Sequence, residues 1–573
     1  MPRRGVYLLL GLVLAGALAL RLVGINWGVP RAPHFRNYFQ DERFALGLLY
    51  QMDPARLDLD PHYYINPSLH YYTLLAALVK ANIAGLGLSL PVTDDSPFKP
   101  TAMSARTYTR AFLVGRVLVV MQSVLAVLLV FLIGRRLYRS RAGLIAASLM
   151  AVNYPCVYQS HFFVTDAPAV FWMVLALYLI VRLKAEPGRR TWRFLAPVSI
   201  GLAIGAKYTN VLLFLPYLYV LFTSTGYSSP HPSPQRGEGG KASLSRERER
   251  ARVRANRIRT ALVGLLLANT AFLVTTPYAL LSLPRFLSGD EKGFGGIFGA
   301  RGLFYYNNFP PSLTEPFFVA TPAALGIFGA VLFGVAVVFA VVRRRNADLL
   351  LLSFILPFYL LLVLKSSTML RHILPVLPFA FLALAGTLAG DMTDFRLGKL
   401  GRVPKRRLGA FGTAALCLLA GYWAAFSLSA VLRMTRTDTR VQVELWARAN
   451  ITTERIVLPT WFPYRYTPAI DSFDVVGVNY DPRGIEDLNP DYIILTEPEF
   501  TVSGRTDAQA AQKLTFLAAV QRHPEYKLAH RFSEPFLLGP LRFRPKLPTE
   551  DWNFPSPEIL VYRRSLTPVG AGG

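Results

Sequence analysis

Apolar residues in this chain gather into runs, most of them long enough to cross a hydrocarbon core of roughly 30 Å and a few short. The runs predict eleven spans. They are Leu8 to Gly24, Val114 to Ile133, Gly143 to Tyr158, Ala167 to Leu183, Phe194 to Ala206 and Val211 to Phe222. Ala261 to Val274, Ala323 to Val342, Leu349 to Leu364, Ile373 to Leu388 and Gly409 to Leu432 complete the set. A further apolar stretch, Leu69 to Leu90, carries Lys80 and a cluster of tyrosines near its start. It is predicted to lie on the outer surface as an amphipathic helix. The basic N-terminus followed by an apolar run is read as a retained first span, because no clear small-residue cleavage site follows it.

Charge sets the sidedness. Of 573 residues 52% are hydrophobic and 17% charged, yet the net charge is +27. The basic residues fall between spans: Arg3 and Arg4, the segment Gly134 to Arg141, KAEPGRR, Arg343 to Arg345 and RLGKLGRVPKRR. A basic excess in such loops marks the cytoplasmic side. Nucleic-acid binding is excluded, because the charge does not form one soluble face. If Leu69 to Leu90 crossed the membrane, the arginines after Ile133 would lie outside, so residues 25–111 are predicted to form one large external loop. Residues 225–259, Pro/Ser/Gly-rich and then Arg-rich, read as a disordered cytoplasmic insertion. The two cysteines, Cys156 and Cys417, sit in apolar runs with neither metal nor disulfide spacing.

Beyond about Arg433 the apolar runs shorten to strand length: IVLP, FDVVGVN, YIILTE and EILVYR. A helical stretch, AQAAQKLTFLAAVQR, lies among them. The chain is thus expected to be a mainly α polytopic membrane bundle, residues 1–432, with a small extracytoplasmic α/β domain, residues 433–573. That domain shows neither a nucleophile motif nor a glycine-rich phosphate loop.

Candidate chemistry collects on the outer side. Asp41 and Glu42 follow the first span, and Asp166 opens the fourth with His161 five residues before it. Acids at membrane depth are costly and tend to be functional, although Asp166 is also a sensible N-cap with Pro168 in the first turn. Lys207 and Tyr208 follow the fifth span; Arg371 and His372 precede the tenth, with Lys365 nearby. Arg would grip a lipid phosphate by a fork of donors and Lys as a point charge. Tyr63 and Tyr64 in the first external loop join His161, Tyr208 and His372 as candidate substrate contacts. The triplet Asp58-Leu59-Asp60 mimics a nucleotide-sugar metal motif but lies outside the membrane. A divalent cation is left open by the sequence, which has no ligand spacing that demands one.

These pieces, in this order, resemble the membrane-embedded C-type glycosyltransferases, in the branch of protein O-mannosyltransferases and aminoarabinose lipid A transferases (glycosyltransferase family 39-like). The resemblance spans about residues 6–390. It rests on Asp41-Glu42, on Pro67-x-Leu69-x-Tyr71-Tyr72, and on Gly134-Arg135-Arg136-Leu137. Thr165 to Pro168, Gly201-x-x-x-Gly205-x-Lys207-Tyr208, Thr276-Pro277-Tyr278 and Arg371-x-x-x-Pro375-x-x-Pro378 continue it. The chain departs where lipid A transferases carry Lys, having Asn66, and it lacks the large lumenal insertion of the mannosyltransferases.

The resemblance implies a C-type fold and an inverting transfer from a polyprenyl-phosphate sugar to an extracytoplasmic acceptor hydroxyl on lipid, glycan or protein. It implies Asp41 as general base, Lys207 and Arg371 on the leaving phosphate, and Asp166 and Glu42 organising the cavity. It also implies a bacterial inner-membrane location with the site facing the periplasm. Rival readings are a polyprenyl-sugar flippase and a non-catalytic subunit of an envelope glycan assembly. Against the flippase, no inverted repeat or mid-span acid is evident.

Overall fold

The computed structural model describes residues 3–30, 37–86, 105–224, 239–288, 293–297, 313–364, 370–388, 405–459, 468–470, 472–497, 507–538, 540–543 and 556–565. The chain is a mainly helical, multi-pass membrane bundle with a small sheet domain at its C-terminal end. Among the described residues, eight helices are long and apolar enough to cross a membrane. The three other predicted spans also fall on helices, but shorter ones.

The bundle begins with α1 (Arg3–Leu22), α2 (Gln40–Tyr50), α3 (Leu69–Ala81), α4 (Ala105–Leu137), α5 (Ser140–Val152) and α6 (Tyr154–Gln159). It continues with α7 (Asp166–Ala185), α8 (Arg190–Ala206), α9 (Phe214–Thr223) and α10 (Gly239–Thr275). Two short turns, α11 (Tyr278–Leu281) and α12 (Leu283–Phe286), precede α13 (Thr321–Arg343), α14 (Asn346–Leu364), α15 (Leu377–Leu388) and α16 (Lys405–Arg433). At 13 residues, α3 is not among the helices long and apolar enough to cross a membrane. It buries Leu69, Tyr71, Leu74, Leu75 and Leu78 at helical spacing and exposes Val79 and Lys80.

The helix α4 starts at Ala105, ahead of the predicted span at Val114, and its 33 residues are more than a span needs. One expectation needs correcting. The Arg-rich half of the segment read as disordered is helical: residues 239–259 form the first turns of α10. Ala, Arg and Glu are strong helix formers, and here they extend a helix already nucleated by its apolar half. Residues 225–238 lie outside the described residues.

Some spans are broken for local reasons. Asn153 is extended (φ −66°, ψ 127°) between α5 and α6, and Pro155 falls in the first turn of α6, where its missing N–H is harmless. The carbonyls that the break leaves open at the end of α5 are met by Arg21 from α1. It donates to the oxygen of Ala151 at 2.9 Å, and its Nε donates to Ser123 Oγ at 2.8 Å. Elsewhere glycine permits close contact. On α8, a Cβ at Gly201 would collide with the Ala268 carbonyl of α10, and one at Gly205 with Thr275. Most residues of the Leu370–Leu388 span are buried and few of those of the span within α10 are, so α15 lies at the centre of the bundle and α10 at its periphery.

The C-terminal domain contains α17 (Thr439–Asn450), α18 (Arg483–Leu488) and α19 (Asp507–Arg522). Its strands are β1 (Ile456–Leu458), β2 (Val475–Gly477), β3 (Tyr492–Thr496), β4 (Tyr526–Phe532), β5 (Phe536–Leu538), β6 (Leu541–Phe543) and β7 (Ile559–Arg564). Five strands form a mixed sheet ordered β2-β1-β3-β7-β4, parallel at β1–β2 and β1–β3 and antiparallel at β7. Side chains alternate between its faces. Ile456, Leu458, Tyr492, Ile494, Ile559 and Val561 pack with Val443 and Ala447 of α17. Val457, Ile493, Leu495, Leu560 and Tyr562 pack with Ile485 of α18 and Phe516 and Val520 of α19. Burial on both faces explains why these strands read as continuous apolar runs.

Candidate functional site

The acids of interest all sit at helix starts, away from the arginine-rich ends. Asp166 is the first residue of α7, and Arg182 and Lys184 lie in its last turn. Twenty residues at about 1.5 Å each separate the two ends by about 30 Å.

At the acid end, Asp41 in the first turn of α2 forms an ion pair with Arg371, which lies in the 3₁₀ turn Leu370–Val376 leading into α15. This pair is partly open to solvent: the Asp41 side chain is 38% exposed and Arg371 19%. A second pair joins Asp166 to Lys207, the residue that ends α8 in an extended conformation. The Asp166 side chain is nearly sealed, and Lys207 is partly open. Thus Asp41 and Asp166 each hold one of the candidate phosphate-binding cations.

The first turn of α3 bridges the two pairs. Burial pushes the Tyr71 hydroxyl far above its ordinary pKa, and neighbouring Tyr63, Asp41 and Tyr208 push it the same way, against a hydrogen bond to Asn66. His70, next in sequence, lies in the field of Asp166 and points its Nε2 at the Phe163 carbonyl, 2.8 Å away. The Phe163 amide in turn donates to Glu42 Oε1 at 3.3 Å. Residues from α2, α3, the α6–α7 link, α8 and the turn before α15 therefore converge on one rim of the bundle.

Glu42 lies beneath this rim. It is fully buried and accepts from Arg116 Nε at 2.9 Å and Nη2 at 2.7 Å, and from Asn37 Nδ2 at 3.0 Å. It supports Asp41 without facing solvent. His161 is also fully buried, its two ring nitrogens each 2.9 Å from a carbonyl oxygen, of Val157 and of Val23. It ties the α6–α7 link to the end of the first span and does not line the open rim. Tyr64 is buried as well and donates to both oxygens of Asp60 at 2.9 Å. Asp60 also receives the His62 amide and Ser282 Oγ. Asp58 caps the Asp60 amide. The Asp-Leu-Asp triplet thus folds the loop on itself and onto the turn after α11.

Tyr208 donates to the Tyr64 carbonyl at 2.8 Å and packs edge-on against Phe294. Tyr63 meets Phe44 edge-on with ring centroids 4.8 Å apart. His372 is half-buried beside Arg371. Lys365 lies outside the described residues. Among the described residues no three His, Cys, Asp or Glu side chains gather as a metal site. A cavity of about 440 Å³ lined by Tyr219, Arg344, Leu349 and Leu356 lies at the arginine-rich end and belongs to another part of the molecule.

Residues that the motifs did not bring forward also matter here. Arg116 falls inside the predicted span Val114 to Ile133, and a lone charge in an apolar run is itself a signal. His70 lies inside a motif already singled out and had no separate signal.

Residues 103–233, from α4 through α9, match the family described as dolichyl-phosphate-mannose-protein mannosyltransferase. That part of the chain is similar to this family, as the ordered motifs suggested. No curated protein matches the chain. Among solved structures, the Archaeoglobus fulgidus oligosaccharyltransferase tethered with an acceptor peptide aligns with a TM-score of 0.47 at 14% identity, covering 96% of this chain and 78% of that one. ArnT from Cupriavidus metallidurans bound to undecaprenyl phosphate aligns with a TM-score of 0.46 at 13% identity, covering 98% of each chain.

Proposed function

We propose that this protein is an integral-membrane glycosyltransferase that takes a sugar from a polyprenyl-phosphate donor at the rim holding Asp41. The observation that carries the reading is the convergence of two acid–cation pairs, Asp41 with Arg371 and Asp166 with Lys207, from distant parts of the chain onto one rim. The family match over residues 103–233 supports the donor class.

In the reaction, an acceptor hydroxyl oxygen attacks the anomeric carbon, and its proton passes to a carboxylate oxygen of Asp41. The bond from the anomeric carbon to the phosphate oxygen breaks, and the electron pair leaves with the polyprenyl phosphate. The configuration at the anomeric carbon inverts. Arg371 and Lys207 hold the leaving phosphate, whose developing charge such donors stabilise by about 2.7–4 kcal/mol each. Arg371 drawn toward the donor phosphate releases the Asp41 carboxylate, so the base is freed when the donor is seated. Asp166 keeps Lys207 in place, and Tyr63 and Tyr208 present aromatic faces to the sugar or acceptor. The site faces the periplasm of a bacterial inner membrane, opposite the arginine-rich loops.

The test is to compare wild type and Asp41→Asn in membranes supplied with a labelled polyprenyl-phosphate sugar. Loss of transfer with normal insertion is expected, and unchanged turnover removes Asp41 from the mechanism. Donor binding without transfer by the wild type would instead indicate a flippase. Lipid and glycan profiling of a deletion strain would then identify the sugar by the accumulated carrier and the acceptor by the missing decoration.

A further inference from the structure

We propose that Arg440 of the C-terminal domain is a positioning residue for Asp41, clamping the chain that leads into α2 through the ring of Tyr38. The proposal rests on the glycosyltransferase reading above. Arg440 lies in the first turn of α17 and is fully buried, an expensive place for a guanidinium unless it is paired and bonded. Its Nε and Nη2 donate to the two oxygens of Asp438 at 2.8 and 2.9 Å. Its planar face lies 3.5 Å from the centroid of the Tyr38 ring, a stacked geometry that Arg favours and Lys does not reproduce.

Asp438 is the N-cap of α17, and its acceptance of the Arg440 amide at 2.9 Å already fulfils that local role. Capping requires neither the buried guanidinium nor the contact across domains. Yet Asp438 Oδ2 also accepts from Trp27 Nε1 at 3.1 Å, across 411 residues of sequence. Trp27 adjoins Gly28, whose carbonyl accepts from Asn37 Nδ2 at 3.1 Å, and the same nitrogen reaches Glu42 at 3.0 Å. Where the first span ends, Gly24 (φ +77°) leaves no room for a Cβ, which would strike Met434. The C-terminal domain is therefore seated on both ends of the segment that delivers Asp41.

Asp41 is thereby bracketed. Glu42, one residue after it, is fixed from the bundle by Arg116, and Tyr38, three residues before it, is fixed from the C-terminal domain by Arg440. Three residues span at most about 10 Å, so a shift at Tyr38 has little slack to absorb it before Asp41.

The experiment uses full-length protein in nanodiscs, short-chain polyprenyl-phosphate mannose as probe, release of polyprenyl phosphate as turnover, and hydrogen–deuterium exchange over residues 37–50. Arg440→Gln is expected to lower kcat by about 100-fold, the usual scale for a misplaced group, with the KM for donor little changed and exchange over 37–50 accelerated. A folded Arg440→Gln with wild-type kcat, or with unaltered exchange over 37–50, overturns the proposal. Should that variant fail to fold, Tyr38→Leu removes the stacked face and leaves the Arg440–Asp438 pair intact. The same fall in kcat and faster exchange are expected from it, and wild-type values overturn the clamp. If the wild type itself releases no polyprenyl phosphate, the functional reading fails for this donor separately, and the exchange measurement alone decides the clamp.

Discussion

Glu42 and Arg116 form a doubly bonded ion pair sealed inside the bundle, with side chains 0% and 1% exposed. Asp41, one residue earlier, points to the open rim. Adjacent acids thus differ in setting, one sealed in the bundle and one partly open to solvent. Replacing Glu42 with Gln leaves a buried guanidinium without its counter-charge, and breaking one side of such a pair costs about 3–5 kcal/mol. Glu42→Gln is therefore expected to lower the Tm of the purified protein markedly and to reduce activity through lost folded protein. A variant with the wild-type Tm that had lost only turnover would assign Glu42 to the chemistry instead.

Asp41→Asn should behave in the opposite way. The Asp41–Arg371 pair is partly solvated, and such pairs contribute about 0–1 kcal/mol to stability. The Tm should barely move, while loss of a general base lowers kcat by about 10²–10⁴. Thermal unfolding and donor turnover on one preparation would separate the two acids.

The spans were legible because a helix crossing lipid must be apolar along its length, and the end of α16 at Arg433 coincides with the change from span-length to strand-length runs. The rim was legible in part, since Asp166, Lys207 and Arg371 each stand beside a predicted span end and Asp41 in the loop after the first span. Their pairing was not legible, because nothing local in Asp41 names Arg371. The strand YKLAHRF (Tyr526–Phe532) was missed because, as an edge strand with five consecutive exposed residues, it carries no apolar run. The seat of Trp27 and Tyr38 on Asp438 and Arg440 is a contact across some four hundred residues that no periodicity encodes.

Lys207 and Asp166 give a graded test. Lys207→Met removes the point charge proposed to hold phosphate and leaves Asp166 nearly sealed without its cation. It should weaken donor turnover by about 10²–10³-fold, as for loss of one stabilising donor. Lys207→Arg keeps the charge and should recover part of that loss. Equal loss in both variants would mean that the length and shape of Lys207, rather than its charge, are what the rim requires.

Acid sensitivity should trace to His70. Burial holds its pKa down at about 4, against 6.5 for the free side chain, although the Phe163 carbonyl and Asp166 oppose the shift. The unfolded chain therefore binds a proton on His70 between these values and the folded protein does not. The associated stability is fully present above about pH 6.5 and is lost as pH falls toward 4, at up to about 1.4 kcal/mol per unit. A Tm that declines with acid over this window in the wild type, and declines less steeply in His70→Gln, is the expected outcome. Parallel curves would place the acid sensitivity elsewhere.

The contact between α8 and α10 bears on whether Gly201 and Gly205 serve packing or the site. A methyl at Gly201 would strike the Ala268 backbone oxygen, which has no flexible side chain to yield. Overpacking of this kind costs about 1–3 kcal/mol, so Gly201→Ala should lower the Tm. Gly205 lies two residues before Lys207, and its added Cβ would meet the Thr275 side chain, which can rotate. Relief at Thr275 displaces the end of α8 less than a backbone clash would, so Gly205→Ala should cost less stability than Gly201→Ala. Its effect on donor turnover should still exceed what its Tm implies, because the end of α8 carries Lys207. Turnover that falls only in proportion to Tm in both variants would confine these glycines to helix packing.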